Sequence, residues 1–180
     1  MTAKRRALDP ILHAELMVRY QRDGAARRAY LDGGKRDPSE VLAVDTDNQA
    51  FLSPLIEQHG WLGADLTGRD GAHACWLLVQ HSPAHLRAKC LPLLAAAVED
   101  GLAEPRDLAY LEDRVGGDHG RAQRYGTQWL AHARGESRLW PLEDPDGVND
   151  RRAVLGMQPL DQAEIALAWT ERELRELGLL

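Results

Sequence analysis

Apolar residues stand at Leu8, Leu12, Leu16 and Tyr20, one every four positions, which lays them along one side of a helix running to about Tyr30. Asp32-Gly33-Gly34 ends it. On a neighbouring side Glu15, Arg19, Asp23 and Arg27 repeat at the same interval, where opposite charges meet, and a solvated charge ladder is the plain reading of that stripe. Phe51, Leu52, Leu55 and Ile56 predict a second helix from about Asp47 to His59, with Pro54 near its first turn and Gly60 as its stop. Ala72 to Val79 is apolar on nearly every side apart from His73, so a third helix, capped by Asp70, is expected to cross the core and end at Gln80-His81. Ser82-Pro83 supplies a cap and a first-turn proline for a fourth helix, with Leu86, Cys90, Leu93, Leu94 and Ala97 on its apolar face and Gly101 at its close.

Pro105 opens a short helix with Leu108, Leu111 and Val115 inward, which Gly116-Gly117 breaks. Gln123 to Trp129 reads as a strand because Tyr, Thr and Trp favour pleated surfaces; Arg134-Gly135-Glu136 turns it back to a second strand around Leu139 to Leu142, which Pro141 confines to an edge. An acidic loop, Glu143 to Asp150, leads to a short helix that starts with Arg151 and Arg152. A last helix starts at Asp161, with Glu164 three residues on in a capping-box pattern. With no internal repeat and no low-complexity linker, residues 1–180 read as a mainly α single domain, a helical bundle carrying a small antiparallel β-hairpin.

Composition narrows the function classes. The 22 basic and 28 acidic residues leave a net charge of -6, so the summed field disfavours nucleic acid and an anionic membrane surface as partners. No stretch approaches the roughly 20 apolar residues that crossing a bilayer requires. The basic start Lys4, Arg5, Arg6 runs into Asp9 and Pro10 instead of an apolar signal core, so the expected location is the cytoplasm. Cys75 and Cys90 stand in buried-helix patterns and read as reduced core thiols. Neither metal-ligand spacing nor a cofactor fingerprint is evident, so no cofactor and no metal is expected.

The candidate chemistry is a set of polar residues in places a scaffold would not need them. Gln80-His81 delivers an amide and an imidazole at the buried end of an apolar helix, next to the start of another helix, an environment that suits a general base. The structural alternative is a core histidine that hydrogen-bonds the end of its own helix. Tyr110 and Arg114 share a face of the short helix while Asp113 points elsewhere, which frees Asp113 to orient an imidazole and Arg114 to fork onto a carboxylate or phosphate. An ion-pair network at the helix end explains them equally. Strand alternation would set Gln123, Tyr125, Thr127 and Trp129 on one face, a row suited to reading a polar ligand, with Gly126 marking a close approach and Gln128 on the other face. Arg151 and Arg152 at a helix start call for an acidic partner or an anionic ligand.

Taken in order, Gly60-Trp61, Gln80-His81, Ala109-Tyr110-Leu111 with Asp113-Arg114, Gln123 with Tyr125-Gly126-Thr127-Gln128, Arg151-Arg152, Gly156 and Pro159-Leu160 resemble an uncharacterised bacterial family, a domain of unknown function. The family carries G-W, Q-H, Y-L-x-D-R, Q-x-Y-G-T-Q and R-R elements, and the resemblance spans nearly the whole chain. It implies a single mostly helical domain and no established activity, substrate or cofactor. Leu62 departs from the proline expected after G-W.

These readings combine into an expected enzyme, a hydrolase or group transferase acting on a small anionic or amide-bearing substrate. His81 would be its acid/base and Asp113 the orienting partner. Arg114, Arg151 and Arg152 would clamp an anion, while Gln80, Tyr110, Gln123, Tyr125, Thr127 and Gln128 hold substrate. A non-catalytic ligand binder and an interaction or immunity-type domain are the alternatives.

Overall fold

The computed structural model describes residues 6–32, 37–131 and 137–180, and its contacts gather into two compact units, 1–104 and 105–180. Eight helices and a two-stranded antiparallel sheet form the regular structure of the described residues, so the protein is mainly α.

The first unit is built from α1 (Pro10–Asp32), α2 (Ser39–His59), α3 (Ala64–Gln80) and α4 (Ala84–Glu99). The apolar stripe of α1 buries Leu12, Leu16 and Ala26, although Leu8, ahead of the helix, stays exposed. Its contacts to α3 advance together along both helices, from His13 on the Thr67 carbonyl at 2.7 Å through Tyr20 beside His73 to Arg27 beside His81, so α1 and α3 run in the same direction. Helix α2 starts eight residues earlier than its strongest apolar pattern, since Val44 is already buried in its second turn; Pro54 sits inside it on the exposed side. Helix α3 likewise starts at Ala64, with Gly68 at φ 73° kinking it before the apolar body. Leu16, Leu52, Ile56 and Leu78 are at most 2% exposed, and burying each such side chain contributes about 2 kcal/mol. Cys75 and Cys90 are free and buried; burial pushes the Cys75 thiol far up and the Cys90 thiol to about 12, so both stay protonated.

The α3–α4 junction departs from expectation. Ser82 does not cap α4: its hydroxyl donates back to the Leu78 carbonyl at 2.8 Å, and Pro83 takes the N-cap position without a side-chain bond. The Ser82 carbonyl accepts from the Arg87 guanidinium.

The second unit holds α5 (Pro105–Asp118), β1 (Trp129–Ala131), β2 (Ser137–Leu139), α6 (Val148–Val154), α7 (Gln162–Ala166) and α8 (Glu171–Glu176). Helix α5 continues through Gly116-Gly117 to Asp118. The strand expected over 123–129 begins only at Trp129 and pairs antiparallel with β2 in the register Trp129↔Leu139, Leu130↔Arg138, Ala131↔Ser137. The Arg134-Gly135-Glu136 turn lies outside the described residues. Residues 124–128 form a loop because two side chains, those of Asp113 and Gln123, take the backbone amides that a sheet ladder would use. The alternating faces expected there therefore do not exist. Arg151 and Arg152 lie in the last turn of α6, where the helix dipole favours cations, and not at its start. The capping box expected at Asp161–Glu164 is present, but α7 is short, and a second box at Thr170–Glu173 opens α8.

Gly126 is required twice over. Its φ is 65°, and a Cβ there would lie 2.4 Å from Leu160 Cδ1, while the Asn149 amide pins the Leu160 backbone through bonds of 2.8 and 3.0 Å. The close approach marked by this glycine is made by Leu160. Gly126→Ala is expected to destabilise the protein by about 2 kcal/mol in urea unfolding, from the left-handed backbone and local overpacking together. Adding Leu160→Ala should recover the packing share.

Candidate functional site

In the first unit α3 ends at His81, whose backbone N–H closes the helix on Leu77. Its ring packs against the last turns of α1. Nδ1 lies 2.9 and 3.1 Å from the two oxygens of Asp23, and Asp23 is 1% exposed. Arg27, one turn further along α1, places Nε 3.2 and 3.3 Å from the same carboxylate and 3.0 Å from His81 Nδ1. Its Nη2 donates to Asp45 of α2 at 2.5 Å. Burial pushes the Asp23 carboxyl up, but the hydrogen bond and charge of His81, with those of Arg27, outweigh it and hold the group below its ordinary value. Arg27 Nε–H is aimed at both the Asp23 carboxylate and His81 Nδ1, and the ionised carboxylate 2.9 Å from Nδ1 favours the tautomer that carries its proton on that nitrogen. The neutral ring then carries its lone pair on Nε2, which has no partner among the described residues, and the side chain is 21% exposed. This is the arrangement of a general base oriented by a carboxylate.

Sequence reasoning placed Asp113 in that orienting role and read Asp23 as part of a solvated ladder. The carboxylate on the imidazole is that of Asp23. A signal for it was present: Asp23 stands seven residues after Leu16, on the buried stripe Leu12, Leu16, Ala26 and not on the opposite face. The ladder itself holds α1 to α2, since Arg19 bonds Glu15 at 2.7 Å and Asp47 at 2.9 Å, and Arg22 bonds Asp47 at 2.7 Å. Gln80 is buried at the end of α3.

The second unit gathers most of the other predicted residues around Asp113. Its two oxygens accept from the backbone amides of Arg124, Tyr125 and Thr127 and from the Thr127 hydroxyl, at 2.7 to 3.2 Å. These donors fill the roughly four lone-pair sites of a carboxylate, which leaves none for an imidazole. Burial raises the Asp113 carboxyl above its ordinary value in spite of those bonds. A directed chain feeds it: Arg114 Nη1 donates to Gln128 Oε1 at 3.1 Å, Gln128 Nε2 to Thr127 Oγ1 at 2.9 Å, and Thr127 to Asp113 at 2.9 Å. Gln123, 1% exposed, donates to the Gln128 and Trp140 carbonyls and accepts from Gln128 N–H.

Arg152 donates to the carbonyls of Gln158, Tyr125 and Gly126, and Arg151 to those of Arg124 and Asp144 and to the Asp144 carboxylate. Both guanidinium groups thus hold loops. Tyr125 is half-buried in the loop they hold; burial, with the charge of nearby Glu112, pushes its phenol up. Tyr110 is half-buried on α5. The unit brings Asp113, Arg114, Gln123, Thr127, Gln128 and Arg152 together as a hydrogen-bonded cradle for residues 124–128. No group of three or more His, Cys, Asp or Glu suited to a metal occurs among the described residues.

Removing Asp113 strands four donors inside the unit, so Asp113→Ala is expected to cost about 3 kcal/mol in urea unfolding. Asp23 behaves differently with pH. Its carboxyl binds the proton less tightly folded than unfolded, so its stabilisation is complete above about pH 5 and drains away as pH falls below about 4. Asp23→Asn should therefore lose less Tm than wild type between pH 6 and pH 3.

The chain finds no significant match among curated proteins or among solved structures. A model of a family of unknown function, DUF6624, matches residues 10–170, which include α1 with Asp23 and Arg27, the α3 end with His81, the Asp113 cradle and the arginines of α6. The chain belongs to that family.

Proposed function

We propose that the protein is an acid/base enzyme, a hydrolase or group transferase acting on a small anionic or amide-bearing substrate. The observation that carries this reading is His81, with Nδ1 on a buried carboxylate and Nε2 unpartnered among the described residues at a partly exposed edge. In the reaction Nε2 takes a proton from water or a substrate hydroxyl and returns it to the leaving group, while Asp23 holds the tautomer and stabilises the imidazolium that forms. Asp23 is a positioning residue and His81 the catalytic one. The Asp113 cradle shapes the loop that carries Tyr125. Two free, buried thiols and the absence, among the described residues, of a helix long and apolar enough to cross a membrane support placing this chemistry in the cytoplasm.

A docking domain is the second reading. It is favoured by an open groove of about 610 Å³ in the first unit, lined by Ile11, Ala14 and Val18 of α1 and Phe51 and Leu55 of α2, where Ile11 is 82% exposed.

Incubating the purified chain with a metabolite extract and following compounds by mass spectrometry tests the first reading. Wild type should convert a small set of compounds, His81→Gln should lower that rate about 10²- to 10⁴-fold, and Asp23→Asn should lower it less. Equal conversion by wild type and His81→Gln, or conversion by neither, would contradict it.

A further inference from the structure

We infer that the second unit holds a binding cleft for a cation on an apolar stem, an alkylguanidinium or alkylammonium group, with Asp146 as its counter-ion. The cleft stands on this unit alone and goes beyond the acid/base reading, which concerns His81. A cavity of about 580 Å³ is formed by the loop after β2, helix α7 and the start of α8, a size that suits a small molecule. Pro141, Ile165 and Trp169 give it apolar walls, and Asp146, Gln162 and Glu171 are polar groups on its lining. The Trp169 wall is held in place. Its residue is 7% exposed, its backbone N–H donates to the Leu139 carbonyl at 2.8 Å, and Arg138, outside the lining, covers one ring face at 4.0 Å.

The acids of the loop divide into two uses. Asp144 is taken up by the fold, since its carboxylate accepts from Gly147 N–H at 3.2 Å and from Arg151 at 2.7 Å. Two residues on, Asp146 is exposed, and its carboxylate has no partner among the described residues. The Gln162 side-chain amide has none there either. One Glu171 oxygen accepts from Arg175 at 3.1 Å, and the other accepts from no described residue.

Charge decides what such a cleft takes. No basic residue lines it among the described residues. Arg121 and Arg172, next in sequence to lining residues, are not part of the lining. The cations of the flanking elements already have acids: Arg138 meets Glu173 at 3.2 Å, Arg172 meets Glu176 at 3.4 Å and Arg175 meets Glu171. Across residues 137–176 nine Asp and Glu stand against five Arg, so an entering anion meets like charge and an entering cation meets an unpaired carboxylate. A guanidinium fits best. Its planar fork matches a carboxylate, it gives up hydration more readily than an ammonium, and its stem covers the proline, isoleucine and tryptophan walls.

The Trp169 indole N–H signal in proton–nitrogen correlation spectra of the full chain, assigned with Trp169→Phe, reads occupancy without reference to turnover. The titrants are agmatine, N-acetylargininamide as the same head on a peptide unit, neutral N-butylurea and anionic hexanoate. At least one of the two cations should shift the signal saturably, the tighter naming a free amine or a peptide arginine as the source. N-butylurea should bind at least about fivefold more weakly than the better cation, and hexanoate more weakly still. Asp146→Asn, at an exposed position, should weaken cation binding about fivefold, and Glu171→Gln should weaken it less. No saturable shift with either cation, N-butylurea or hexanoate binding as tightly as the better cation, or an affinity unchanged in Asp146→Asn would overturn the inference. His81-dependent conversion of metabolites would survive any of these results.

Discussion

The buried carboxylate of Asp23 is the constraint on which the first unit turns. A charge that is 1% exposed is tolerated only when fixed donors replace its hydration, and His81 and Arg27 are those donors. That requirement locks three elements. Arg27 reaches α2 through Asp45, and His81 fixes the end of α3 against α1. The same bonds that keep the carboxylate ionised favour a proton on Nδ1 and leave Nε2 without a partner among the described residues.

The second unit shows the same rule in a different use. Asp113 is also buried and also surrounded by donors, but three of the four are backbone amides of a loop and the fourth is the Thr127 hydroxyl. A carboxylate whose lone pairs are all taken by a loop organises backbone, and one bonded to an imidazole and a guanidinium orients side chains. Residue type and burial do not separate the two roles; the identity of the donors does.

Much of the fold was legible in the chain. The period of apolar residues found α1, α2, α3 and α4, and Asp161 with Glu164 three residues on marked the start of α7, while the Thr170–Glu173 box that opens a separate α8 went unread. Two kinds of error have physical causes. Gln123 to Gln128 carries the composition of a strand, but Gly126 at positive φ and side chains that bind its amides divert it into a loop, a tertiary override of local preference. Ser82 has the composition of an N-cap, yet its hydroxyl is used by the preceding helix. At the site, His81 stood out because an imidazole ends an apolar helix. Its partner did not, because an acid spaced four residues from two arginines looks like any surface ladder until its position on the Leu12–Leu16 stripe is weighed.

Asp23 fixes the His81 ring as the Nδ1–H tautomer. Nitrogen-15 chemical shifts of the His81 ring, recorded above neutral pH in wild type and Asp23→Asn, measure it directly. Protonated Nδ1 with bare Nε2 in wild type, lost or mixed in Asp23→Asn, is the predicted result. A proton on Nε2 in wild type, or one tautomer shared unchanged by both proteins, would contradict the account.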